Sequence, residues 1–65
     1  MERIYDDDII KNLVLYFLTY KKINKKFRNR EFNYAMKSKE NYILYLHRIK
    51  GEVPTIKVPI SKIKL

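Results

Sequence analysis

The chain has 65 residues, no cysteine and a formal net charge of +8. That length holds one small domain, whose core contributes only about 3–5 kcal/mol, and without thiols neither a disulfide nor a thiolate zinc site can staple it. A hydrophobic content of 46% excludes a disordered chain, which lacks the apolar surface needed to offset the entropy of folding.

In chain order, the first signal is a helix over residues 6–27, a stretch with no Gly or Pro. Asp6 suits the N-cap, where its carboxylate can accept from the free N–H groups of the first turn. Asp7 and Asp8 then place negative charge at the positive end of the helix dipole. Tyr5 and Ile10 occupy the two positions of a hydrophobic staple. Ile9, Leu13, Tyr16, Tyr20, Ile23 and Phe27 recur at helical spacing and define one apolar stripe. Ile10, Val14, Leu15, Phe17 and Leu18 add apolar residues on other faces, and such a helix is normally covered on more than one side. Either the chain wraps the helix itself, or Val14, Leu15 and Leu18 meet a second copy or another protein. The run Ile9–Tyr20 contains Lys11 and is too short to span a bilayer. Acids precede it where a signal peptide carries positive charge, so the expectation is a cytoplasmic protein without a membrane span.

Basic charge follows the apolar run. Residues 1–20 carry a net charge of −2, residues 21–50 carry +8, and residues 51–65 carry +2. Lys21 with Lys25, and Lys22 with Lys26, are like-charge pairs at i,i+4, mildly unfavourable in an isolated helix. A helix C-terminus relieves that repulsion through its dipole; so does an anionic partner. Lysine in surplus also serves solubility. Either the first helix runs straight through Asn29 or it breaks there; with the break, residues 29–39 read as a short second helix with Phe32, Ala35 and Met36 on its apolar side.

From Asn41 the residues are β-branched and aromatic, and Lys50-Gly51-Glu52 holds the only glycine. This predicts a β-hairpin over residues 41–60. A loop at Gly51-Glu52 pairs Ile43 with Ile60, Tyr45 with Val58, His47 with Ile56 and Ile49 with Pro54. Those residues would form the buried face, and a loop at Lys50-Gly51 would change the pairs but keep the same residues on that face. Pro54 and Pro59 lack N–H donors, which places the second strand at an edge. Ile63 and Leu65 resume the alternation in the other phase within a tail over residues 61–65. The expected architecture is therefore α+β: a long N-terminal helix, a short second helix, and a C-terminal two-stranded antiparallel hairpin packed on them, in a single domain.

No residue set here suggests catalysis. His47 is the single histidine and is expected to pack beside Tyr45, Ile49 and Ile56. Asp6, Asp7 and Asp8 are consecutive, so on a helix they diverge and do not converge on a metal. No nucleophilic triad, glycine-rich phosphate loop or paired-histidine motif is present. The reading is a non-enzyme with no cofactor, no metal and no small-molecule substrate.

Two helices and a basic hairpin resemble a winged helix-turn-helix in outline. The resemblance implies a recognition helix over Asn29–Lys39, with Arg30, Asn33 and Lys37 toward DNA and Lys50 on the wing. It leaves only Lys21–Arg28 for the preceding helix, and the turn lacks a glycine. The expected function is nucleic-acid binding, as a small basic accessory or regulatory protein that contacts phosphates through Lys21, Lys22, Lys25, Lys26, Arg28, Arg30, Lys37 and Lys39. Tyr34 and Tyr42 flank basic residues, and their rings could stack on bases of a single strand. The alternative is a protein-interaction subunit or inhibitor that docks on a larger enzyme through Val14, Leu15 and Leu18. In either case a homodimer or a protein partner is expected.

Overall fold

The computed structural model describes residues 1–64; the expectation for Leu65 lies outside them. The chain forms β1 (Glu2–Arg3), α1 (Asp7–Ile23), a 3-10 turn at Lys25–Phe27, β2 (Phe32–Lys37), β3 (Asn41–Leu46), β4 (Thr55–Pro59) and a second 3-10 turn at Ile60–Lys62. The strands make one antiparallel sheet in the order β1-β2-β3-β4. One helix over a four-stranded sheet replaces the expected pair of helices and two-stranded hairpin.

α1 starts as its sequence requires. Asp6 Oδ1 accepts from the amides of Asp8 at 2.9 Å and Ile9 at 3.2 Å, and Asp7 and Asp8 fill the first turn. The anchor before the cap is not Tyr5, which stays 75% exposed, but Ile4, which is buried. Its amide donates to Ala35 O at 2.9 Å and so ties β1 to β2. The helix ends at Ile23, four residues before the expected end at Phe27. Asn24 leaves helical geometry (φ −105°, ψ 97°), and its side chain caps the following 3-10 turn by accepting from Lys26 N at 3.2 Å. The break therefore falls at Asn24 rather than Asn29, for the reason that suited Asn29: Asn is a good N-cap.

Residues 32–37 form strand β2, not a second helix. Phe32, Ala35 and Met36 fit a helical spacing, yet Phe32, Tyr34 and Met36 fit an alternation equally well. Over so short a window the two periods are not separable. Pairing with β1 on one side and β3 on the other decides the matter. With no helix there, the winged helix-turn-helix outline and its recognition helix fall away.

The β3–β4 hairpin forms, and β4 is an edge strand that ends on Pro59, with Pro54 just before its first residue. Its register differs from the expected one: Tyr42 pairs with Val58, Ile43 with Lys57, Leu44 with Ile56 and Tyr45 with Thr55. The turn is centred on Lys50-Gly51, closed by an Ile49–Glu52 bridge. Both central residues have positive φ, 51° and 81°, as a type I′ turn requires. Between that bridge and the Tyr45–Thr55 pair, the β3 side carries one residue more than the β4 side. This bulge-like offset turns β3 over, because one residue of slip exchanges the two faces of a strand. Tyr42, Leu44 and Leu46 are therefore buried, while Ile43 and Tyr45 point the other way and His47 and Ile49 are exposed. His47 is not a packed core residue but is exposed, and its amide donates to Glu31 O at 2.8 Å.

The core lies between α1 and one face of the sheet. Leu13 and Phe17 meet Ala35, Tyr42, Leu44, Leu46, Ile56 and Val58, with Ile60 of the second 3-10 turn and Ile63 of the tail packed against the cluster. The opposite face of the sheet has no second layer among the described residues. No helix among them is long and apolar enough to cross a membrane.

Candidate nucleic-acid interface

The last turn of α1, the cap at Asn24 and the 3-10 turn bend the basic run into a crest. Leu18, Lys21, Lys22, Lys25 and Arg28 line one surface groove of about 410 Å³. An apolar floor at Leu18 is ringed by cations, and no carboxylate lines the groove among the described residues. The C-terminal dipole of α1 favours positive charge at Lys21 and Lys22. That accounts for tolerating those two lysines, but Lys25 and Arg28 lie beyond the helix.

On the other side of the crest a second groove, of about 390 Å³, is lined by Lys26, Phe27, Arg30, Glu52, Val53, Pro54 and Thr55. Arg30 Nη2 pairs with Glu52 Oε2 at 3.2 Å, with Arg30 19% and Glu52 72% exposed. So open a pair is worth little on its own. Arg30 Nη1 is buried and has no hydrogen-bond partner among the described residues.

The eight cations expected to bind phosphate therefore separate into three groups. Lys22, Lys25, Lys26 and Arg28 are exposed on the crest. Lys21 and Arg30 are half-buried and hold the structure together: Lys21 Nζ donates to Arg30 O at 2.8 Å and stands 5.2 Å from the centre of the Phe17 ring. Lys37 and Lys39 sit at the β2–β3 turn, the end of the sheet opposite Arg30 and Glu52, so they do not join the crest.

Of the residues expected to dock on a partner, Leu15 and Leu18 are exposed, by 54% and 45%, whereas Val14 is half-buried. Leu18 belongs to the basic groove, and Leu15 lines other grooves with Asp8, Lys11, Asn12, Tyr16 and Thr19. Among the tyrosines, Tyr42 is buried and unavailable for stacking. Tyr34 lies on the uncovered sheet face, its ring parallel to that of Tyr45 at 4.7 Å, with the Arg3 guanidinium 4.5 Å from its centre. Sequence reasoning missed Arg3 and Tyr45. For Tyr45 the signal was the alternation of β3 read in the other phase; Arg3 lies in the two-residue β1 and had none. No three His, Cys, Asp or Glu side chains among the described residues are placed to hold a metal ion.

Searches against protein-family models, curated proteins and solved structures give no match.

Proposed function

We propose that the protein binds nucleic acid as a small, non-enzymatic accessory or regulatory factor, holding phosphates on the crest formed by Lys22, Lys25, Lys26 and Arg28. One observation carries this reading: Lys22, Lys25 and Arg28, with Lys21, gather around a groove that no carboxylate lines among the described residues, and Lys26 is exposed next to Lys25 in the chain. Charge arranged in this way neutralises a phosphate backbone without reading its sequence, and the free energy comes from released counterions.

About four phosphate contacts imply a log–log salt slope of about −3 to −4 on duplex DNA, at roughly 0.9 per phosphate. Replacing Lys22 and Lys25 by Ala is expected to flatten that slope by about two. The fold should be kept, because both side chains are exposed and Ala is a strong helix former. Fluorescence anisotropy over a salt series measures both quantities. A slope near zero, or one that the double change leaves untouched, would assign the lysines to solubility.

A second reading is favoured by the exposure of Leu15 and Leu18 beside this charge. In it, the outer face of α1 docks on an acidic protein surface or on a second copy. It requires weak nucleic-acid binding at physiological salt and loss of partner capture on Leu18→Asp.

A further inference from the structure

We propose that the nucleic acid is single-stranded, and that one of its bases stacks on the free face of the Tyr45 ring, on the side of the sheet that α1 does not cover. This inference rests on the reading above and names the class of ligand for it.

The register places Arg3, Tyr34, Met36, Ile43, Tyr45 and Lys57 on the uncovered face. No acidic residue occupies a strand position there, and Arg3 and Lys57 give the face positive charge. The Arg3 guanidinium, the Tyr34 ring and the Tyr45 ring form a row of plates running across the strands, at 4.5 Å and then 4.7 Å, with 4° between the two rings. The 4.7 Å step matches the spacing of neighbouring strands. The next position in the row belongs to β4, where Tyr45 pairs with Thr55. Threonine has no ring to continue the stack, and no further ring or cation stands on Tyr45 among the described residues. The row stops one plate short.

The β4 residue beside Tyr45 is Thr55. Thr55 also lines the groove that Lys26, Arg30 and Glu52 share, where Arg30 pairs with Glu52 and Lys26 is exposed. A strand with a phosphate on Lys26 can therefore turn one base over the edge of β4 and onto Tyr45. A base in a duplex is already stacked on both faces and cannot do so, whereas unpaired bases stack readily on aromatic side chains. Every base has a π-face, so this contact prefers single strands without preferring a sequence.

The test compares Tyr45→Thr and Tyr45→Phe with the natural chain, using fluorescent oligothymidylate and oligouridylate of about twelve nucleotides and a duplex of mixed sequence. Tyr45→Thr is expected to weaken binding of the single strands about ten-fold while leaving duplex affinity and the salt slope unchanged. Tyr45→Phe should restore the single-strand affinity. In the natural chain, the Tyr45 ring protons should move upfield when oligothymidylate is added, a readout that does not depend on the Thr variant folding. Ring protons that stay in place while the amides of Lys25 and Lys26 shift would overturn this inference and leave phosphate binding standing. Equal losses on single strand and duplex would also overturn it, as would a dimer that buries the Tyr45 face. No binding to any probe would overturn the functional reading itself. Equal responses to the two oligonucleotides are expected, because the ring contacts a base and not a 2′-hydroxyl.

Discussion

Replacing Phe17 by Ala is expected to leave most of the chain unfolded at room temperature. Phe17 is among the largest fully buried side chains and faces the sheet from the middle of α1. Truncating a buried Phe costs about 3–5 kcal/mol, through lost transfer free energy and the cavity left behind. A core of this size supplies about that much in total. The neighbouring Leu18→Ala change removes an exposed side chain and is expected to shift stability by no more than about 0.5 kcal/mol. Urea denaturation followed by circular dichroism compares the two. A cooperative Phe17→Ala variant with a midpoint near that of the natural chain would mean that α1 does not hold the fold together.

The combined changes Lys22→Glu, Lys25→Glu and Arg28→Glu are expected to weaken nucleic-acid binding by at least about a hundredfold at low salt. Phosphate neutralisation supplies essentially all the affinity of sequence-independent binding, and these changes replace three of the four crest cations with repelling charges. The carboxylate introduced by Lys22→Glu would also sit at the unfavourable end of the helix dipole, which costs about 0.3–1 kcal/mol, so the melting curve is recorded with the binding curve. Leu15→Gln, on the outer face of α1, should leave nucleic-acid affinity unchanged. If the reversed variant binds as well as the natural chain while remaining folded, the phosphates are held elsewhere.

The N-terminus of α1 was legible because its signals are local. The Asp6 cap and the acidic first turn act within a few residues of each other. The edge position of β4, which ends on Pro59, followed from chemistry, since an edge strand does not need every N–H; Pro54 lies just outside the strand. What was not legible depended on distant partners. Residues 32–37 satisfy both periods, and only β1 and β3 select the strand. β3 is apolar on both faces, so its pattern could not say whether Tyr42, Leu44 and Leu46 or Ile43 and Tyr45 face inward; the extra residue near the turn decided it. The candidate site was half-legible for the same reason. The lysine run marked the crest directly, but Lys37 and Lys39 were grouped with it by nearness in sequence, and the sheet carries them to its far end. Arg3 and Tyr34 are far apart in the chain and meet only because β1 pairs with β2.

The most direct measurement is a titration of the isotopically labelled natural chain with an unlabelled oligonucleotide, followed by backbone amide shifts. Binding on the crest predicts that Lys22, Lys25, Lys26 and Arg28 move together and saturate at one affinity, that the response shrinks as salt is raised, and that Lys37 and Lys39 stay in place. Amides that do not move, or shifts centred on the β2–β3 turn at Ser38–Glu40, would contradict the assignment of the crest as the nucleic-acid interface.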